Sequence, residues 1–257
     1  MTINIKFDKI AQSYSAQRAH PPEVSAQIGL TIVTLAGVGS RVLELGIGTG
    51  RIAAPVASAG CRVVGIDIAR DMLRVAAKQD QPPLALLQGD VARLPFADQS
   101  FDAVLAVHVL HLIPDWRGAL GEVARVLRPG GVFIQGRDWR DPASASERLR
   151  AKLREAVMEL VPGGRPPGAG AAIAQALTRL GGTPELEIAA AAWVSQAAPA
   201  TIIANMAARA DAETWALDDA TLAQAVERVR VFAEATYPDL ATPQEVAQRF
   251  VLSPVRF

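Results

Sequence analysis

Apolar residues recur along this chain in two rhythms. Short, mostly apolar runs at 41–45, 62–66, 84–88, 101–107 and 131–137 read as strands. Between them, three- and four-residue spacing predicts helices over 50–59, 70–78 and 115–127. Residues 90–100 carry neither rhythm and read as a loop or short turn. Upstream, Phe7, Ile10, Ala11 and Tyr14 keep helical spacing, so a helix is expected over 5–18, and another over 23–35 after Pro21-Pro22. Strand–helix alternation of this kind predicts a parallel sheet with helices on both faces. Its right-handed crossovers gather the carboxyl ends of the strands on one edge, where ligands bind.

Beyond Arg137 the pattern turns helical. Helices are expected over 146–160, 171–180, 199–209 and 219–235, with Asp218 capping the last. A proline- and glycine-rich loop separates the first two, 185–194 reads as a sixth strand, and 248–257 as a last one. Trp193, Met206 and Trp215 are assigned to core packing rather than to ligand contact.

The run Val42-Leu43-Glu44-Leu45-Gly46-Ile47-Gly48-Thr49-Gly50 carries the most chemistry. A strand ends at an acid, three glycines alternate, and a helix follows. Glycine permits the turn and lets a ligand lie against bare backbone. Glu44 would repel a diphosphate, so the ligand best accommodated is a nucleoside without phosphate, which points to S-adenosylmethionine rather than NAD. Asp67 ends the second strand, where an acid can accept both hydroxyls of a ribose; capping the next helix suits Asp71 better. Asp90 follows the third strand, where its carboxylate can accept an adenine amino group while the amide of Val91 donates to the ring. Ile68 and Met72 could flank the base. Asp98, Asp102 and Asp115 read as structural.

Composition narrows the class. The chain has 257 residues, half of them apolar, and a formal net charge of zero. It can bury a sizeable core, and bulk electrostatics give no reason for a nucleic-acid partner. Its lone cysteine, Cys61, excludes an intramolecular disulfide, and no spaced His/Cys/Asp/Glu set suggests a metal. No stretch reads as a signal peptide or a membrane span, so a cytoplasmic protein with no membrane partner is expected. Oligomeric state is left open.

Five ordered signatures resemble the class I S-adenosylmethionine-dependent methyltransferases of the small-molecule, type 11 group: Glu44–Gly50, Gly65-Ile66-Asp67-Ile68, Gly89–Phe96, Phe101–Val104 and Ala124–Gly131. They cover about residues 40 to 137. The resemblance implies an α/β fold with a Rossmann-like seven-stranded sheet, the last strand antiparallel, N-terminal helices, and a helical lid inserted between strands six and seven. It implies one methyltransferase domain over 1–257: an N-terminal cover (1–38), a donor-binding core (40–137) and an acceptor-side C-terminal part (138–257). It also implies roles. Glu44 organises the donor's ammonium end, and Gly46 and Gly48 bring backbone to its methionine portion. Asp67 holds the ribose, Asp90 and Val91 the adenine, and the Ala106 carbonyl lies beside the ammonium. Tyr14 and Arg18 fold over the donor, the arginine meeting its carboxylate.

Methyl transfer from a sulfonium is a direct displacement, so the protein chiefly aligns the reactants and excludes water. A base is needed only for an acceptor that holds its proton. Candidates are His111 and His108, just past the fourth strand, with His20 upstream. The acceptor is expected to be a small apolar or aromatic molecule, methylated on oxygen, nitrogen or carbon. Alternatives are a catalytically silent donor-binding protein, a protein methyltransferase, and an NAD(P)-dependent oxidoreductase, which would carry Gly-x-Gly-x-x-Gly instead.

Overall fold

A computed structural model describes residues 18–78, 83–161, 170–215 and 217–257. Tyr14 and all but the last residue of the helix expected over 5–18 lie outside the described residues. Contacts divide the chain into two compact units. One takes in the described residues up to Asp138, those from 170 to Ala191, and Phe250–Phe257; the other takes in those from Trp139 to 161 and Ala192–Arg249.

The first unit opens with α1 (Pro22–Ala36), whose leading proline needs no N–H partner and presets the helical φ. There follow β1 (Arg41–Leu45), α2 (Ala53–Ser58), β2 (Arg62–Asp67), α3 (Arg70–Ala76), β3 (Ala85–Gln88), β4 (Phe101–Val107), α4 (Trp116–Val126) and β5 (Leu127–Arg140). Gly29 lets α1 lie on α2, since a Cβ there would stand 2.5 Å from the Pro55 carbonyl oxygen. Later elements are α5 (Ala145–Leu160), α6 (Gly170–Arg179), β6 (Thr183–Pro184), β7 (Ile188–Ala197), α7 (Pro199–Ala207), α8 (Asp219–Thr236) and β8 (Gln244–Arg256).

The sheet runs β3-β2-β1-β4-β5-β8-β6, with β7 also paired to β8. The pairs among β1 to β5 are parallel, while β6 meets β8 antiparallel. Strand order reverses between β1 and β4, which makes the tip of β1 the switch point where open α/β sheets bind ligands. Register aligns the tips: Leu45 lies level with Ile66 and with Ala106, and Asp67 with Gln88. The core beneath is Leu43, Leu45, Ile66, Phe101, Val104 and Phe133, all buried. The eighth strand, beyond the seven expected, is the two-residue β6; Pro184 offers no N–H to lengthen it, and the chain rejoins the sheet at Ile188.

Residues 89–100 contain no helix, yet they are clasped to α4. Arg125 donates to the carbonyls of Leu94 and Phe96 and to the carboxylates of Asp98 and Glu122, while Glu122 accepts the Leu94 N–H. Asp102 accepts the Arg41 amide and an Arg128 N–H, and Asp115 caps α4 by accepting the Gly118 N–H. These acids are structural, as their positions in the sequence imply.

The second unit is helical, apart from the strand portions that run through it. Its core joins Leu149 and Leu153 of α5, Ile203 and Met206 of α7, and Val226 and Val229 of α8. Ser144 caps α5 and Asp218 caps α8, accepting the Glu147 and Thr221 amides. No helix among the described residues is long and apolar enough to cross a membrane.

Candidate functional site

The tip of β1 turns sharply. Gly46, Gly48 and Gly50 have φ of 60°, 56° and 82°, a region in which a side chain is strained. The turn is closed by the Ile47 N–H donating to the Ile66 carbonyl (3.1 Å) and the Gly50 N–H to that of Ile47 (3.0 Å). At Gly46 an added Cβ would collide with Val109 at 2.3 Å, so the glycine is demanded by packing. At Gly48 the nearest atom to such a Cβ would be 4.0 Å away, so the backbone there lies open.

Asp67 ends β2 beside this turn. Its Oδ2 accepts the Gly48 N–H and its Oδ1 the Ala69 N–H, each at 2.8 Å. The acid assigned to a ribose thus also ties the glycine turn to the neighbouring strand. The cap position of α3 falls to Ala69, with no side-chain bond, while Asp71 lies in the helix's first turn and pairs with Arg74. The expectation that Asp71 caps the helix is therefore replaced: Asp67 itself satisfies the amide at the helix entry.

Glu44 is the acid before the glycines. It is 3 % exposed, and its Oε2 has no hydrogen-bond partner among the described residues. Burial pushes its carboxyl up to about 8; the Arg51 charge and an Ala53 N–H bond work against that, and the nearby Asp67 charge adds to it. A buried carboxyl oxygen without a partner is costly. A cationic ligand group at this tip would satisfy it.

The remaining candidates are spread along the same edge. Asp90 is exposed just past β3; its Oδ1 accepts the Ala92 N–H at 2.9 Å, a turn contact that leaves Oδ2 available. Val91 is buried, Ile68 exposed and Met72 buried in α3, so Ile68 alone offers an open apolar surface for a base. Ala106 is buried at the end of β4. Arg18 is half-buried at the first described position. His111 sits in the 3₁₀ turn Leu110–Leu112.

Around Asp138, near the end of β5, two of the histidines named as candidate bases meet, a convergence that sequence reasoning does not foresee. His20 Nε2 lies 2.7 Å from Asp138 Oδ1, and His108 Nε2 lies 2.9 Å from Oδ2. Arg51 places Nη2 3.6 Å from Oδ2 and Nη1 2.7 Å from His20 Nε2. Burial alone would raise the Asp138 carboxyl, but the bonds from His108 and His20 and the Arg51 charge hold it far below the usual carboxylate range. The four residues come from four separate segments, so no local spacing announces them. The available signal was a fourth acid at a parallel strand tip, in line with Glu44, Asp67 and Asp90.

The donor set therefore fits S-adenosylmethionine: an unpartnered buried carboxyl oxygen for its cationic end, open backbone at Gly48, and acids at the next two tips. Comparison with known proteins agrees. Residues 43–135 match the family model described as "Methyltransferase domain". A demethylmenaquinone methyltransferase of Renibacterium salmoninarum is 42% identical over 96 residues, which is 37% of this chain and 40% of that relative. The match thus spans well under half of the relative's length. Among solved structures, the YcgJ protein of Bacillus subtilis superposes with a TM-score of 0.57 at 20% identity, covering 90% of this chain and 97% of that one. The [4+2]-cyclase SpnF gives 0.55 at 18%, covering 93% and 84%. At such identities the two structures establish the fold alone. In sheet order and in the stretch 43–135 that matches the family model, the core of this chain resembles the class I S-adenosylmethionine-dependent methyltransferase domains.

Proposed function

We propose that the protein moves a methyl group from S-adenosylmethionine to an oxygen, nitrogen or carbon atom of a small, apolar or aromatic molecule by direct displacement. The observation that carries this reading is the unpartnered Glu44 oxygen, buried at the switch point beside open glycine backbone. A cation satisfies that oxygen and favours its ionised form, whereas a dinucleotide's phosphates would oppose that ionisation. A bound donor supplies a methyl already activated on a cationic sulfur, so the chain's own task is to bind, align and exclude water. In this assignment Glu44 and the Ala106 carbonyl face the donor's ammonium, and Gly46 and Gly48 its methionine portion. Asp67 takes the ribose, Asp90 and Val91 the adenine edge and Ile68 one of its faces, while Met72, expected to flank the base, is buried in α3; Tyr14 and Arg18 fold over the donor, the arginine at its carboxylate. The name of the Renibacterium relative carries a quinone-type acceptor, which supports an aromatic one here. The acceptor-selecting role of residues 138–257 belongs to the same proposal.

Titration calorimetry with S-adenosylhomocysteine and with NADH tests the donor. Binding of the first is expected, and binding of NADH alone would overturn the reading. A turnover screen across phenols, quinols, amines and peptides tests the transfer. Tight donor binding with no acceptor turned over would make the chain a silent donor-binding protein.

A further inference from the structure

We infer that His108 is the general base of the transfer and Asp138 the residue that positions it, so that the acceptor attacks through an atom that must first lose a proton, such as the oxygen of a phenol or enol. This rests on the methyl-transfer reading above and adds to it the chemical class of the acceptor.

Asp138 divides its two oxygens between two histidines, and the two are not equivalent. His20 is 5 % exposed; the Arg51 Nη1 lies 2.7 and 3.1 Å from its two ring nitrogens, and Phe250 packs edge-to-face against it with centroids 5.4 Å apart. It has no nitrogen left for a substrate and anchors the carboxylate. His108 is 27 % exposed and engages Asp138 through Nε2, which lies 2.9 Å from Oδ2 and 3.3 Å from the Asp138 backbone N–H, the carboxylate being the nearer partner for an Nε2 proton. A carboxylate that accepts the Nε2 proton leaves the Nδ1 lone pair as the basic site and stabilises the imidazolium once it forms. Nδ1 makes no hydrogen bond among the described residues.

Backbone geometry points the same way. His108 has φ +50°, a left-handed conformation imposed on the first residue past β4. Strain of this kind persists where the surroundings over-determine it, and it gathers at functional sites. The next residue, Val109, packs against Gly46 of the glycine turn, and Ala106, two residues back, is level with Leu45 at the tip of β1. His108 therefore stands at the edge of the sheet where the donor is assigned.

The step balances without any further reagent. Nδ1 takes the proton as the acceptor's oxygen forms its bond to the methyl carbon. The carbon–sulfur bond breaks, its electron pair stays on sulfur, and the spent donor is a neutral thioether. The proton passes from His108 to water between turnovers.

The full chain, saturated with S-adenosylmethionine, is assayed against phenols and 1-naphthols of graded acidity. His108→Gln is expected to lower kcat about 10²–10³-fold for the weakly acidic members, the range of general-base contributions. Donor KM should stay within about twofold, and the deficit should shrink below about tenfold for nitrophenols already ionised at the assay pH. Asp138→Asn should follow the same trend with a smaller loss. If His108→Gln does not fold, His108→Asn, which tolerates the left-handed backbone, gives the same comparison. A second readout needs no acceptor. Nitrogen-15 spectra of the chain's three histidines should show His108 carrying its proton on Nε2, and Asp138→Asn should remove that preference. An equal loss across all acceptors, or a proton resident on Nδ1, overturns the inference. So does a wild-type protein that binds S-adenosylhomocysteine yet methylates no hydroxylated ring. Failure to bind S-adenosylhomocysteine at all defeats the underlying methyl-transfer reading instead.

Discussion

Replacing Glu44 with glutamine isolates the group on which the proposed donor recognition turns. In the folded chain its carboxyl is pushed up to about 8 by burial, against an ordinary value near 4.5. An acid raised in this way favours the folded state at low pH, where both states hold the proton. As pH climbs from about 4.5 to 8, unfolding releases the proton and stability drains away; above about 8 both states are ionised and the loss stops. A displacement of this size corresponds to about 5 kcal/mol over that window, close to 1.4 per pH unit. Glutamine keeps the shape and a carbonyl for the Ala53 N–H, but it has no proton to lose. Urea unfolding of wild type and Glu44→Gln at pH 5, 6.5 and 8 should show the variant gaining steadily on the wild type. Binding closes the argument: an ammonium brought to this oxygen favours the ionised acid, so wild type should release close to one proton with S-adenosylhomocysteine at pH 6.5. Its affinity should rise up to tenfold per pH unit towards 8, and the variant should do neither. Parallel stability curves, or proton release unchanged in the variant, would refute the reasoning.

Asp67→Ala should weaken S-adenosylhomocysteine binding by about 1–3 kcal/mol, the worth of two hydrogen bonds to a charged acceptor, and should speed amide exchange at Gly48 and Ala69; unchanged affinity would remove Asp67 from the donor site. Gly65→Ala places a Cβ 2.0 Å from Ile47 Cδ1 and 2.9 Å from Ile47 Cβ, so denaturant unfolding should register a loss of about 1–3 kcal/mol from overpacking under the glycine turn. Asp218→Ala removes the side-chain cap of α8 and should cost about 1 kcal/mol in the same measurement, with donor affinity unmoved.

Much of the framework was legible because its signals are local. Apolar runs marked the strands to within a few residues, and the alternating glycines gave away the turn at β1. The helix expected from residue 50 begins at Ala53 because Thr49 to Ile52 are spent on that turn. The fifth strand, expected from residue 131, begins at Leu127 and takes in Pro129-Gly130-Gly131, where Gly130 and Gly131 exchange backbone hydrogen bonds with Phe257, far along the chain. His20 and His108 were named as candidate bases, but their meeting at Asp138 was illegible for a related reason. His20, Arg51, His108 and Asp138 meet only after the sheet has formed, and nothing in the spacing of 118 positions between His20 and Asp138 foretells a 2.7 Å contact.

The grip of Asp67 on the Gly48 amide exists before any ligand arrives, so the crevice is shaped during folding rather than by its visitor. A seat formed that way would, in the proposed transfer, receive the methyl donor and its demethylated by-product alike, since both carry the same ribose.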